Sequence, residues 1–281
     1  MDAGITVAPE EPILNGLFLP PCPATLTSIM REARSPLGTL DKIAHLIGSD
    51  AGLVAPLLKL ANSPLMGLRS KVTSVMHAVS LLGLQNTLNL VHNIALRQSL
   101  EGNGQSFEKF WERSSLAATV AEKIGARFPG VSRDDAYIAA LFHDCGIPML
   151  IQRFPDYRDK VMSQSARGVP ICATESAHFF TNHAVVGNML TRSWGLPPHV
   201  CKAILFHHDA TIFSTPGDQL DDSVLDLIAV MHMAEYIVDE HLLVRDKEWP
   251  QFEHDVLRHF DLAEQEFAEL KSDMLAYLNG D

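Results

Sequence analysis

The stretch Ala139-Ala140-Leu141-Phe142-His143-Asp144-Cys145-Gly146-Ile147-Pro148 sets an imidazole and a carboxylate side by side within an otherwise apolar helix. Burying either group unpartnered costs several kcal/mol, on the order of its own desolvation. The pair therefore asks for a hydrogen-bond network or for a divalent metal that uses nitrogen and oxygen donors together. Three more places offer the same residue types: His183, His207-His208 and Glu235. Each lies on or beside the apolar side of an expected helix, and those helices are consecutive enough to pack around one cleft. Neighbouring helical positions point about 100° apart, so His143 could bind one ion while Asp144 bridges towards a second. Zinc, iron, manganese and nickel all suit such donors. A site of this kind lowers the pKa of a bound water and clamps a phosphoryl oxygen.

Plainer readings stand beside each. A lone histidine such as His183 on an apolar face is more often a hydrogen-bonded core residue, and His207-His208-Asp209 at a helix end can simply complement the helix dipole. The set is more informative than its members. His45, His77, His92, His178, His199, His232, His254 and His259 lack such a context and are assigned no role.

The elements that must position these groups read as helices throughout. Residues 1 to 18, with Pro9, Pro12, Asn15 and Gly16, form an expected arm. Order is expected from Leu19-Pro20-Pro21-Cys22-Pro23, with Pro23 in a first helical turn and Leu26, Ile29, Met30 and Ala33 as the apolar stripe. Thr39, Asp50 and Ser74 are N-cap candidates for three more helices, the last ended by Gly83. Leu88, Val91, Ile94 and Ala95 mark the next, completing an all-helical layer over residues 19–101. Gly102-Asn103-Gly104-Gln105 punctuates the chain. A second helical core is expected over 106–215. It begins with a helix from Phe107 to Phe128, then a Ser132-Arg133-Asp134-Asp135 capping box that launches the helix of His143-Asp144. Pro148 should bend or end that helix just past the Asp. One further helix is expected from Thr174-Glu175 to Trp194-Gly195, carrying Phe179, His183, Val186 and Leu190 on one side. The next, after Pro197, ends at His207-His208. Helices over 219–281 should pack on this core, and Arg245-Asp246-Lys247 reads as a solvated loop.

With 281 residues, 47% of them hydrophobic and 20% charged, the chain is an ordinary globular sequence with ample core material. A formal net charge of -12 and no basic cluster argue against a grip on nucleic-acid phosphates. Cys22, Cys145, Cys172 and Cys201 show neither disulfide nor zinc-knuckle spacing, so a reduced, cytoplasmic setting is expected. The N-terminus carries no secretory pattern. The segment Val72–Leu96 holds no formal charge, yet its polar residues and Gly83 make it unfit for hydrocarbon.

Several motifs occur in a telling order: Leu19-Pro20-Pro21, Leu60-Ala61-Asn62-Ser63 followed by Gly67, Ala78-Val79-Ser80-Leu81-Leu82-Gly83, Phe110-Trp111, Leu141-Phe142-His143-Asp144, His183 with Gly187, Trp194-Gly195-Leu196-Pro197, and His207-His208. In this the chain resembles a bacterial HDOD domain, the signalling output branch of the HD metal-dependent phosphohydrolase superfamily. Leu-Ala-Asn-Ser points to that branch. The resemblance covers about residues 18 to 215 and implies an all-α, HD-type helical bundle with an N-terminal helical layer and extra C-terminal helices. In catalytic relatives the ligands are an early His, the His-Asp pair, further histidines and a late Asp. Here Arg113 stands at the early His position, Gly146-Ile147 replaces Gly-Lys, and Glu235 matches the late Asp. A guanidinium stays protonated and cannot ligate, but Arg113 could pair with Asp144 and fill the vacated position. The resemblance thus implies a catalytically degenerate signalling module that binds a protein partner or a small nucleotide-like ligand. The alternative is a working phosphohydrolase for a nucleotide or cyclic nucleotide. The metal ligands would be His143, Asp144, His183, His207, His208 and Glu235, holding iron, manganese, zinc, nickel or nothing. Asp144 is the catalytic residue if any turnover remains.

Overall fold

A computed structural model describes residues 17–62, 71–101, 107–165, 168–213 and 220–280. The arm over residues 1 to 16, Ser63, Gly67, Gly102-Asn103-Gly104-Gln105 and Pro216-Gly217 lie outside the described residues. Every regular element among the described residues is helical.

Four helices build the N-terminal layer: α1 (Ala24–Arg34), α2 (Leu40–Gly48), α3 (Ala51–Ala61) and α4 (Val75–Leu100). Thr39, Asp50 and Ser74 each accept a backbone N–H of the helix they precede, satisfying a donor that the helix cannot. Pro23 is the N-cap of α1, one position before the first turn. Within α4, Gly83 ends the stretch that Ser74 caps, as expected: its φ of 76° and ψ of 171° are non-helical, a backbone region open to glycine, and a second helical stretch runs on beyond the kink. Leu26, Ile29, Ile43, Ile47, Leu57 and Val79 interlock as one apolar cluster. Asn62 ties the end of α3 to the approach of α4. Its amide donates to the carbonyls of Leu58 and Val72, and its Oδ1 accepts the Val72 N–H, each at 2.7 Å.

The second cluster belongs to α5 (Glu108–Gly125), α6 (Arg133–Phe142), α7 (Gly146–Arg153), a π-helical turn (Arg158–Met162) running into α8 (Ser163–Ser165), α9 (Ile171–Phe179), α10 (His183–Ser193), α11 (Pro198–Phe206), a 3-10 turn (Ala210–Phe213), α12 (Asp222–His241), α13 (Trp249–His259) and α14 (Glu264–Asn279). Ala117, Ala118 and Ala121 on α5 and Ala136, Ala139 and Ala140 on α6 are fully buried. These small side chains let backbones approach closely, and α5 packs on both α6 and α12. The C-terminal helices share this cluster through Trp249, Phe252, Phe267 and Met274. Trp194 packs against both clusters.

Two sequence expectations change. The helix of His143-Asp144 stops at Phe142, with His143 as its C-cap, so the pair occupies a turn rather than a helix interior. Pro148 does not terminate α6. It sits third in α7, where a missing N–H costs nothing because the first turn has no internal acceptor. The single helix expected from Thr174 to Trp194 is two, broken at Phe180, whose φ is 56°. Asn182 caps the second, accepting the Val185 N–H at 3.0 Å. Among the described residues, no single helix is long and apolar enough to cross a membrane.

Candidate metal centre

The ends of four helices and the faces of two more bring the chemistry together. Arg113 comes from α5, His143 and Asp144 from the α6–α7 turn, His183 from the first residue of α10, His207 and His208 from the end of α11, and Glu235 with Asp239 from α12. Gly146 permits this convergence. A Cβ on it would lie 2.2 Å from the carbonyl oxygen of His183, so α7 and α10 start against each other.

Asp144 stands between two half-sites. On one side are His143, Asp144 and Glu235, and on the other Asp144, His183, His207 and His208, each set with donor atoms within 4.8 Å of one another. Each half holds one imidazole whose pKa is raised against the pull of burial, His143 in the first and His183, through the buried Glu175 carboxylate, in the second, and the guanidinium of Arg113 stands in the first alone. In the first, His143 Nδ1–H donates to the Ala140 carbonyl at 2.8 Å, which leaves Nε2 3.0 Å from Asp144 Oδ2 and 3.0 Å from Glu235 Oε1. Burial opposes charge on this ring, but the Asp144 and Glu235 carboxylates outweigh it and lift its pKa to about 10. The same contacts hold Asp144 and Glu235 well below the usual carboxylate range, against the pull of burial. Arg113 completes the neutralisation. Its Nε and Nη2 form a two-pronged contact to Asp239 at 2.7 and 3.2 Å, Nη2 reaches Glu235 at 2.8 Å, and Nη1 lies 3.5 Å from Asp144. This half thus carries an imidazolium and a guanidinium among three carboxylates, a poor place for a further cation.

The second half is prepared differently. His207 Nδ1–H donates to the Ile204 carbonyl at 2.7 Å, and its buried Nε2 has no hydrogen-bond partner. Burial and the neighbouring His208 push its pKa down to about 4, so the ring is neutral and Nε2 presents a lone pair. His208 donates from Nδ1 to Glu248 at 2.7 Å and is likewise held neutral by burial, at about 3. Its Nε2 is 2.8 Å from His183 Nε2, which is also 3.3 Å from Asp144 Oδ1. His183 is oriented by Glu175, which is fully buried and accepts both its Nδ1–H at 2.7 Å and its backbone N–H at 3.0 Å. That backbone donor is one the start of α10 leaves unsatisfied. The Tyr157 hydroxyl donates to the other Glu175 oxygen. Three imidazoles and a carboxylate, two of the rings fixed by a carboxylate on the far nitrogen, fit a divalent transition metal. The orphaned His207 Nε2 is the observation that favours one.

All six expected ligands and Arg113 therefore meet. Sequence reasoning missed four supporting groups. Asp239 lies one helical turn after Glu235, a spacing visible in the sequence. Glu175 reads in the sequence only as part of a helix start, and Tyr157 and Glu248 carry no signal there. The loop expected to be merely solvated does more than face water. Asp246 Oδ1 accepts the N–H groups of Glu248 and Trp249 at 2.7 and 2.9 Å, and Lys247 donates to the Ser165 carbonyl. Glu248 is thereby set against His208. His232, assigned no role from the sequence, donates from Nε2 to the His207 carbonyl at 2.6 Å and stacks on Phe252. Ile147, in place of the lysine of the Gly-Lys pattern, is buried.

Residues 19–210 match the family model of the HDOD domain. An uncharacterized protein of Treponema pallidum (strain Nichols) is 28% identical over 194 residues, covering 68% of this chain and 38% of that protein, so the chain spans well under half of that relative. Among solved structures, an HDOD domain protein of unknown function from Geobacter sulfurreducens superposes with a TM-score of 0.70 at 24% identity, covering 95% of this chain and 94% of that one. A candidate phosphohydrolase from Shewanella amazonensis SB2B gives a TM-score of 0.73 at 20% identity over 95% and 94%. A candidate signal transduction protein from Marinobacter aquaeolei VT8 gives 0.73 at 20% identity, over 95% of this chain and 60% of that one. At such identities the likeness is one of fold.

Proposed function

Because the chain belongs to the HDOD domain family, we propose that it is a signal-transduction module without phosphohydrolase turnover, one that binds a protein partner or small nucleotide-like ligand. We infer further that Asp144, His183, His207 and His208 hold one divalent ion, of iron, manganese, zinc or nickel, which braces four helix ends. The observation that carries this reading is the Arg113 guanidinium, seated on Asp239, Glu235 and Asp144. It occupies with a fixed charge the half of the cleft that a second ion would need. A divalent ion, where bound, acidifies a water and clamps a phosphoryl oxygen. In this chain Glu175 and Glu248 orient His183 and His208, Asp144 bridges the halves, and Arg113 neutralises the acids without ligating.

The competing reading is a phosphohydrolase acting on a nucleotide or cyclic nucleotide. It is favoured by the convergence of His143, Asp144, His183, His207, His208 and Glu235. Metal analysis of protein purified without chelator, with a nucleotide and cyclic-nucleotide hydrolysis screen, separates the two. The expected result is about one ion per chain without turnover, and a higher metal content in Arg113→His. Turnover that vanishes in His143→Ala would overturn the reading. An Arg113→His variant with unchanged metal content would show that the guanidinium does not stand in for a cation.

A further inference from the structure

A cavity of about 570 Å³ opens between the N-terminal layer and the α10–α11 turn, lined by Leu26, Met30, Arg31, Arg34, His92 and Trp194 among others. A neighbouring one of about 600 Å³ shares Met30, Arg34 and His92 and ends at Asp134 and Asp135. These volumes are those of small-molecule sites, and the lining has their character of apolar walls with a few polar groups. It lies outside the His/Asp cluster.

Three features give the space a chemical preference. His92 is only 5% exposed, and its Nδ1–H donates to the Leu88 carbonyl at 2.9 Å. That tautomer leaves Nε2 as a lone-pair acceptor with no hydrogen-bond partner among the described residues, on a ring lining both cavities. Burial, with Arg34 nearby, keeps the ring neutral, with a pKa of about 4. Next, Arg31 and Arg34 are exposed at the mouth. Among the described residues Arg31 meets only the Ser28 hydroxyl, at 3.4 Å, and neither arginine meets a carboxylate. This is unusual in a chain of net charge -12. The dipole of α1 favours positive charge at its C-terminal end, but it accounts for neither the cavity nor the acceptor beside it. Last, the Trp194 indole N–H is engaged by the Pro20 carbonyl at 3.0 Å, so the tryptophan offers the cavity ring rather than donor.

We propose that this cavity binds an aromatic organic anion whose ring carries an N–H or O–H donor. The anionic group meets Arg31 and Arg34, the ring lies against Met30 and Trp194, and the ring donor bonds His92 Nε2. Asp135 is tied to His199 at 2.9 Å, and the carboxylate of Asp134 makes the far end of the second cavity unsuitable for the anion. The ligand therefore has a fixed direction, anion towards α1.

Calorimetric titration of the whole chain with indole-3-acetate, AMP and inorganic phosphate tests this. The first two distinguish an aromatic carboxylate from an aromatic phosphate. Saturable binding of at least one, at one per chain, with phosphate alone not binding, is the expected result. Arg34→Gln should weaken it about tenfold to a hundredfold, the worth of a charge-assisted hydrogen bond. Because Arg34 is exposed, the variant folds, and an unchanged melting curve verifies it. His92→Phe keeps an aromatic ring but removes the Nε2 acceptor, and should also weaken binding. Phosphate binding as tightly as the aromatic anions, no saturable binding of either aromatic at millimolar concentration, or identical affinity in Arg34→Gln would overturn the proposal.

Discussion

Replacing Arg113 by methionine keeps much of the side-chain length and removes the charge. The consequence follows from burial. The Asp144, Glu235 and Asp239 side chains are 15, 11 and 7% exposed, and that of Arg113 is 27%. Without the guanidinium, three poorly solvated carboxylates face each other with the His143 imidazolium as the nearest cation. Breaking a buried ion pair from one side costs about 3–5 kcal/mol. Partial solvent access to Arg113 places this case near the lower end, about 3 kcal/mol. For a chain of this size each kcal/mol moves Tm by about 2–4 °C, so Arg113→Met should melt about 6–12 °C below the parent at neutral pH in chelator. The deficit has two signatures that simple loss of packing lacks. It should shrink on acidification, because the uncompensated acids of the folded variant take up protons more readily than they do unfolded. It should also shrink when manganese or zinc is added, since an ion can supply the missing charge. Scanning calorimetry over pH 5–8, with and without metal, reads all three. A variant within about 2 °C of the parent in chelator would refute the argument that Arg113 neutralises this half.

Other outcomes follow from single contacts. Glu175→Gln keeps the shape but removes the charge that holds His183, and a thermal melt should show a loss of about 2 kcal/mol. In metal-loaded protein the same change should weaken metal affinity by about tenfold to a hundredfold, read by chelator competition. Gly146→Ala drives a methyl into the His183 carbonyl and should cost about 3 kcal/mol or more by denaturant titration. Gly48→Ala, whose Cβ meets nothing within 4 Å, should instead stabilise α2 by about 0.5–1 kcal/mol. His92 binds a proton near pH 6.5 when unfolded but at about 4 when folded. Its contribution is therefore present above 6.5 and lost as pH falls towards 4. At 1.36 kcal/mol per pH unit the full effect is on the order of 3 kcal/mol, and urea titrations of His92→Phe should show a correspondingly flatter acid limb.

The helices were legible because their apolar periodicity and caps agree: Thr39, Asp50 and Ser74 cap as their types suggest. The site was legible in its ligand types, since buried imidazoles and carboxylates need partners. What the sequence hid was three-dimensional. The break at Phe180 depends on a left-handed residue of a type that seldom adopts that conformation, and it puts His183 at a helix start where Glu175 can bind both its ring and its backbone. Glu248 reaches His208 from a polar loop whose composition resembles any solvated turn. Asp239 was open to inference, since a fork of five donors invites more than one carboxylate, but only knowledge that α5 lies against α12 selects it.

Trp194 belongs to the boundary between two apolar clusters, whereas Trp111 and Trp249 sit inside one of them. Indole emission therefore distinguishes partial from complete opening. If the N-terminal helices detach while the remaining bundle stays folded, one of the three indoles is wetted and two stay dry, so the spectrum shifts part of the way before circular dichroism reports wholesale loss of helix. The tryptophan acts as a built-in gauge of how firmly the two lobes are fastened.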